Sequence, residues 1–361
     1  MKGLGLGLAL VLGVAGCSGD QGSGEEAGES ALTDENSPRP AVVATTSVIC
    51  DLTEQIAAQS IALTCLLEPG TDPHTYQVKP SDRQAIEQAD LILYDGYGFA
   101  PTLISLIQDS TTPAPQVAVY EEAVPEPLMG AAHDHDHAGA GEATDHAHDD
   151  GDGHAHDDGD GHAHDDGDGH AEAELVPDPH IWHSAANNAA IATVVADQLT
   201  QLNPAQADLY TENADRLGAQ FDEIERWIQA QVATVPADQR QLITTHDAFG
   251  YFAAAYGLEV SGALSGLSTD EKPTPATLTA RVDQIKSAQV PAIFAETTTN
   301  AQLIETVAKN AGVSVAEQPL WVEGPGGPGT PAATTQAMLV ANTCAVVDAL
   351  GGMCLRDSAP L

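Results

Sequence analysis

Basic residues are scarce in this sequence, which has 12 Lys and Arg against 53 Asp and Glu and a formal net charge of −41. Proteins that bind nucleic acid need basic contacts to the phosphates, so this balance argues against that class. It suits a cationic ligand instead. Much of the acidic excess lies in two low-complexity segments, so it describes those segments more than a folded core.

Catalytic sequence patterns are also absent. The chain contains no H-E-x-x-H, P-loop or Ser-His-Asp pattern, the signatures of metalloproteases, nucleotide hydrolases and serine hydrolases. A metal-dependent hydrolase would need an open coordination position beside a general base, and no such pair stands out. We therefore expect a protein that is not an enzyme.

The N-terminal apolar run is too short to span a bilayer. Leu4–Val14 follows Lys2 and has the size of a signal-peptide core. It ends in Val14-Ala15-Gly16-Cys17, which resembles a bacterial lipobox. We expect residues 1–17 to be a lipoprotein signal peptide in which Cys17 becomes the acylated N-terminus. The alternative is an ordinary signal peptide with an incidental cysteine. Acyl chains would anchor the exported protein on the periplasmic or extracytoplasmic face of a membrane.

Only four cysteines remain once Cys17 is set aside. An even number in an exported chain favours disulfides. Cys344 and Cys354 flank a predicted helix end and a Gly-Gly turn, so they are the first expected pair, and Cys50 with Cys65 would follow. A cysteine zinc site is the alternative, but the usual C-x₂₋₄-C spacing is missing.

Short apolar runs alternate with helix-like stretches along both halves of the chain. This order predicts parallel β-α-β units, and hence an α/β fold with two lobes, each a four-stranded, mostly parallel sheet flanked by helices. The expected strands are residues 42–46, 61–67, 91–94, 117–120, 242–245, 259–264, 292–295 and 313–316.

A long amphipathic stretch separates the two halves. Apolar residues recur near a 3.6-residue period across residues 205–235, and Pro204 precedes them. We predict a rigid linker helix within residues 201–236. The N-terminal lobe would then be residues 41–200 and the C-terminal lobe residues 237–361, with residues 18–40 forming a disordered tether rich in Gly, Ser and Glu.

A histidine- and aspartate-rich insertion interrupts the first lobe at residues 131–171. Its composition cannot build a core, so we expect a disordered loop. Imidazoles among carboxylates could hold several ions weakly, and the alternative is a solvated acidic spacer. The loop contains His133, His135, His137, His146, His148, His154, His156, His162, His164 and His170.

Outside this loop the sequence has only four histidines: His74, His180, His183 and His246. His74 and His180 each follow an Asp-Pro pair, whose proline stiffens the backbone before the imidazole. His246 directly follows a predicted strand, and ligands of open α/β sheets bind at the carboxyl ends of strands. We predict that these three converge on one metal ion. His183 is a weaker candidate ligand, since it opens a predicted helix, and we expect it rather to have a role at the helix N-terminus or beside the ligands.

Two glutamates are candidates for the fourth metal ligand. Glu323 follows the last predicted strand, and Glu296 ends the strand at residues 292–295. A mixed site of imidazole and carboxylate suits Zn²⁺, and also manganese or iron. Glu323 is the first candidate for the fourth ligand, and Glu296 competes for that role.

Three motifs carry a resemblance to a known family. They are Pro69-Gly70-Thr71-Asp72-Pro73-His74, Asp178-Pro179-His180-Ile181-Trp182 and residues 245–252, Thr-His-Asp-Ala-Phe-Gly-Tyr-Phe. They resemble those of the metal-specific solute-binding proteins of ABC importers, the zinc-uptake (ZnuA-like) and manganese-uptake relatives, over about residues 41–355. The resemblance implies that His74, His180 and His246 are ligands. Manganese members usually have an acid where this chain has His246, so the resemblance favours Zn²⁺ over Mn²⁺. Family members often have Asp where this chain has Glu323, which is expected to be the fourth ligand. Residues 293–298 also resemble the family, and we place Glu296 there as a partner that orients a ligand imidazole.

The resemblance also implies a function and a partner. The protein would capture zinc between two lobes and deliver it to an ABC permease, while a lipid anchor holds it at the membrane. We expect a monomer. The alternatives are the manganese-binding component of the same importer class and a zinc buffer or metallochaperone without a transporter.

Overall fold

The structure is a computed structural model that describes residues 39–131 and 175–361. The predicted signal peptide, the lipidation site Cys17 and almost all of the predicted tether lie outside the described residues. The histidine-rich insertion with its ten histidines also lies outside the described residues, except for its first residue, Ala131. That residue was expected in the loop, but it is the last residue of a strand.

The first half of the chain builds one parallel four-stranded sheet, as predicted. Its strand order is β2-β1-β3-β4, with every pair parallel. The central strands β1 and β3 are apolar and buried, as expected for a sheet covered on both faces. The strands are β1 (Ala41–Ala44), β2 (Ala62–Cys65), β3 (Leu91–Tyr94) and β4 (Gln116–Ala118).

Helices connect these strands and pack against the sheet. The helix α1 begins after Thr46, whose side chain accepts the Ile49 backbone N–H and so caps the first turn. A disulfide joins Cys50 on α1 to Cys65 on β2 across a Cα separation of 5.8 Å, so this predicted pair is confirmed. The helices are α1 (Ser47–Ala57), α2 (Pro80–Glu87), α3 (Pro101–Gln108) and α4 (Val119–Ala123).

The two segments that flank the histidine-rich insertion form an antiparallel hairpin that we did not predict. Strand β5 (Met129–Ala131) pairs with β6 (Leu175–Pro177). The Tyr251 hydroxyl accepts the Leu128 backbone N–H at 2.9 Å and donates to the Asp178 carbonyl at 3.3 Å, so it fixes both ends of the hairpin. The two chain segments that flank the insertion are thereby held together.

Two long helices follow the hairpin, α5 (Ala185–Leu202) and α6 (Ala207–Val232). The predicted linker helix is α6, but at 26 residues it is shorter than expected, about 39 Å long. Residues 201 and 202 belong to α5, and Pro204 starts a separate short turn because it cannot continue a helix. The apolar stripe of α6 is buried against neighbouring helices rather than bridging open space.

The second half contains the four predicted strands as two parallel pairs, β7 with β8 and β9 with β10. A single hydrogen bond, from the Phe294 N–H to the Ile243 carbonyl, links the pairs at 2.9 Å. The continuous four-stranded sheet that we predicted is therefore not formed, and β9 and β10 have only two residues each with which to pair. The elements are β7 (Gln241–Thr244), α7 (Gly250–Tyr256), β8 (Glu259–Ala263), α8 (Pro275–Ala288), β9 (Ala292–Ile293), α9 (Gln302–Ala311) and β10 (Ser314–Val315).

The last helix, α10 (Thr335–Ala349), packs against α1 and α6. Asp51 on α1 accepts hydrogen bonds from both the backbone and the hydroxyl of Thr335, each at 2.7 Å. The other predicted disulfide, between Cys344 and Cys354, is also confirmed, and it links the C-terminal segment to α10. Within residues 39–131 and 175–361, no helix is long and apolar enough to cross a membrane.

Candidate metal centre

His74 lies in the loop that follows β2, in a tight Asp-Pro-His turn. The Asp72 carboxylate accepts the His74 backbone N–H at 3.0 Å, closing the turn over the rigid proline. Its second oxygen accepts the Thr269 hydroxyl at 2.6 Å, from the second half of the chain. The imidazole packs edge-on against the Phe99 ring, which leaves Nε2 facing the centre of the molecule.

The same turn recurs at His180, where Asp178 has a further role. One carboxylate oxygen accepts the His180 backbone N–H at 2.9 Å and lies 2.8 Å from the ring Nδ1. This bond keeps the proton on Nδ1 and the lone pair on Nε2, the arrangement that a metal-ligating histidine needs. We did not predict this role for Asp178. An Asp placed two residues before a histidine is the sequence signal that could have revealed it, because such a residue closes an Asx turn.

His246 lies two residues after the end of β7 and is held by Glu296. The Glu296 carboxylate accepts the His246 backbone N–H at 2.9 Å and lies 2.7 Å from Nδ1 of the ring. Glu296 therefore lies where the sequence predicted a partner that orients an imidazole. It does not join the cluster of side chains that face the centre.

Glu323 completes the cluster from the segment after β10. Its Oε1 lies 3.6 Å from His246 Nε2 and 3.9 Å from His74 Nε2. The carboxylate is buried, and neither of its oxygens has a hydrogen-bond partner. Such a group is costly to bury unless something positively charged satisfies it.

The structure thus brings together the four side chains that the sequence proposed as ligands. One donor atom from each of His74, His180, His246 and Glu323 lies within 4.8 Å of the others. The Nε2 atoms of His180 and His246 are 3.3 Å apart. The carboxylates of Asp178 and Glu296 bond the two Nδ1 atoms, so the two Nε2 atoms face each other and share a hydrogen bond. A metal ion between them would displace the proton that His246 Nε2 donates to His180 Nε2.

His183 does not join the cluster, although it was the alternative ligand. It is fully buried in the turn Ile181–His183, and its ring stacks on Phe249 at 4.3 Å between centroids. The stacking and its short 3₁₀ turn direct the ring into the aromatic core rather than toward the ion site.

Burial and neighbouring charges divide the four donors into two groups. Burial lowers the pKa of His74 and of His180 well below the usual value, so both are neutral. Burial also disfavours the charged form of His246, but the Glu296 carboxylate outweighs it and raises the pKa of His246 to about 9. Burial raises the pKa of Glu323 to about 8. Two donors are therefore ready to bind a cation, and two carry protons near neutral pH.

The spacing of the donors fits a small, four-coordinate ion. A tetrahedral zinc site with bonds of 2.0–2.1 Å has donors about 3.3 Å apart. The separations of 3.3, 3.6 and 3.9 Å at this site are at or slightly above that value. Three imidazoles and one carboxylate are also a donor set that zinc accepts.

Comparison with known proteins assigns the chain to a family. Residues 42–349 match the family described as zinc-uptake complex component A, periplasmic (ZnuA). The chain belongs to the ZnuA family. All four clustered side chains and the two carboxylates that orient imidazoles lie within the matched residues.

Relatives of this ZnuA-family chain include proteins named for two different metals. The manganese-binding lipoprotein MntA of Halalkalibacterium halodurans is 27% identical over 310 residues, or 86% of this chain and 85% of the relative. The manganese ABC transporter substrate-binding lipoprotein PsaA of Streptococcus pneumoniae is 26% identical over 281 residues, or 77% and 78% of the two chains. The solved structure of the periplasmic zinc-binding protein TroA from Treponema pallidum matches with a TM-score of 0.70 and 26% identity, covering 86% of this chain and 99% of TroA.

Proposed function

We propose that this protein is the extracytoplasmic binding component of an ABC importer, and that it captures a zinc ion with His74, His180, His246 and Glu323 and delivers it to a permease. The observation that carries the proposal is the buried cluster of four potential ligands, in which His74 Nε2 and both Glu323 oxygens lack a hydrogen-bond partner. Relatives named as ABC transporter substrate-binding lipoproteins support the importer partner. Cys17 would carry the lipid anchor, and the protein would act as a monomer.

The proposed role is capture and release rather than catalysis. Four donors fill a tetrahedral zinc shell, whereas catalytic zinc sites keep one position for water. The ion is therefore cargo, held until the protein meets its permease.

Zinc is preferred over manganese because of the donor atoms. Nitrogen ligands bind Zn²⁺ more tightly than Mn²⁺ in the usual order of divalent metals, and three of the four donors are imidazoles. Manganese remains the alternative cargo because MntA and PsaA relatives are named for it.

A competition titration tests the choice of ion. Metal-free protein is titrated calorimetrically with Mn²⁺, then with Zn²⁺ on the Mn²⁺-loaded sample. We expect zinc to displace manganese completely at one tight site per chain. A tight manganese site that zinc does not displace would instead support the manganese alternative.

We further propose that the histidine-rich segment concentrates zinc through weak, multiple binding. Deleting residues 131–171 should lower the number of zinc ions bound per chain without changing the affinity of the tight site. Equilibrium dialysis gives the number of ions, and competition with a chelator gives the affinity. An unchanged stoichiometry would leave the segment as an acidic spacer.

A further inference from the structure

The four proposed ligands are not held in the same way. Each imidazole ring or its backbone is bonded to a carboxylate: Asp72 at His74, Asp178 at His180 and Glu296 at His246. No hydrogen bond holds the Glu323 carboxylate. Its position must therefore be set through its own backbone.

That backbone crosses from the second half of the chain to the first. Leu320 still bonds to the second half, since its N–H donates to the Ala295 carbonyl at 2.9 Å and its carbonyl accepts the Thr297 N–H at 3.0 Å. Three residues later, Glu323 contacts α1. Without a hydrogen bond to the first half of the chain, the Glu323 backbone would be fixed only through Leu320, on the second half.

The first hydrogen bond that fixes this backbone to the first half comes from the indole of Trp182. Its Nε1–H donates to the Val322 carbonyl, directly before Glu323, at 3.0 Å. Trp182 is fully buried, and its ring lies 5.4 Å from the His180 ring. The residue that follows His180 by two positions thus fixes the peptide that precedes the fourth ligand.

The second such hydrogen bond comes from Ser47, the first residue of α1. Its hydroxyl donates to the Glu323 carbonyl at 3.3 Å. Gly324 follows with a φ of +119°, and a Cβ at this position would overlap the Ser47 hydroxyl. Glycine is required here both for the backbone angle and for the close approach.

We propose that Trp182 and Ser47 are positioning residues, which hold the Glu323 carboxylate on the metal and so determine how tightly the ion is retained. The inference rests on the proposed function, because it needs Glu323 to be a ligand. It adds two residues whose side chains do not reach the ion. Loss of a group that orients a ligand typically weakens metal binding about 10- to 100-fold.

The chain offers a matched control for a test. Trp227 is also buried, and its Nε1–H donates to the Ser358 hydroxyl at 3.0 Å, away from the candidate metal centre. Trp182→Phe and Trp227→Phe each remove one indole donor and a similar volume. Both are made in the full chain, with and without Glu323→Gln, and zinc affinity is measured by competition with a chelator. Thermal unfolding of the metal-free proteins reports on the fold.

We expect Trp182→Phe to weaken zinc binding about tenfold or more and Trp227→Phe to leave it unchanged. In the Glu323→Gln background, Trp182→Phe should have little further effect, because the carboxylate that Trp182 positions through the Val322 carbonyl is already lost. Equal affinities for Trp182→Phe and the wild type, or an equal loss in both backgrounds, would overturn the inference.

Ser47→Ala provides a smaller change if the Trp182 variant fails to fold. It removes only one hydroxyl and should also weaken zinc binding in the wild-type background but not in the Glu323→Gln background. An unchanged affinity would count against the proposal. A wild-type protein without a tight zinc site would instead refute the proposed function, so the two failures are distinguishable.

Discussion

Alanine in place of His180 is expected to weaken tight zinc binding by about a hundredfold or more. Structural zinc sites with four protein ligands bind with about 10–16 kcal/mol, so each ligand contributes roughly 3 kcal/mol. The His180 Nε2 faces His246 Nε2 at 3.3 Å, and within residues 39–131 and 175–361 the only other imidazole of the cluster is His74, itself a proposed ligand. The loss should be measured by competition with a chelator, since direct titration does not resolve tight binding.

His183→Ala is the matched control for this prediction. His183 is three positions from His180 and equally buried, but its ring stacks on Phe249 outside the cluster. The variant should bind zinc close to the wild-type affinity, although the cavity left beside Phe249 should lower its melting temperature. If His183→Ala lost zinc and His180→Ala kept it, the assigned ligands would be wrong.

The strands and the three histidine positions could be predicted because their signals are local. A buried parallel strand appears in the sequence as a short run of apolar residues, and each of the eight predicted runs overlaps a strand of the structure. The carboxyl ends of strands then place His246 at an edge of the sheet. The proline in each Asp-Pro-His turn restricts the backbone of its immediate neighbours, so His74 and His180 also stand out in the sequence.

The remaining features depend on contacts between distant parts of the chain. The hairpin β5–β6 was missed because its strands have three residues each and 43 residues lie between them. The second half forms two strand pairs rather than one continuous sheet, and β9 and β10 are only two residues long each, a length that the apolar runs of the sequence do not reveal. The bond between Trp182 and Val322 joins residues 140 positions apart, and no local pattern indicates it.

The candidate metal centre also has an uneven distribution of protons. His74 and His180 have a lowered pKa because burial disfavours the imidazolium form, so both stay neutral well below pH 7. His246 has a pKa of about 9 because the Glu296 carboxylate overcomes the effect of burial, and Glu323 has a pKa of about 8 because it is buried. Metal-free protein at pH 7 therefore carries a proton on each of these two ligands.

Zinc affinity should consequently rise with pH and fall steeply on acidification. Zinc must displace the Nε2 proton of His246 and the carboxyl proton of Glu323, and each displaced proton changes the affinity by about tenfold per pH unit below its pKa. The expected slope is about tenfold per unit between pH 8 and 9 and about a hundredfold per unit from pH 8 down to 6.

Calorimetry in buffers of different ionisation enthalpy measures these protons directly. Close to two protons should be released per zinc at pH 7, and nearly none above about pH 10, where His246 and Glu323 have lost theirs. Glu296→Gln provides a sharper check, because it removes the charge that raises the pKa of His246. In this variant the release at pH 7 should fall toward one proton, and zinc should bind more weakly as the imidazole loses its orienting partner. Release of two protons from the variant would show that the Glu296 charge does not hold the proton on His246.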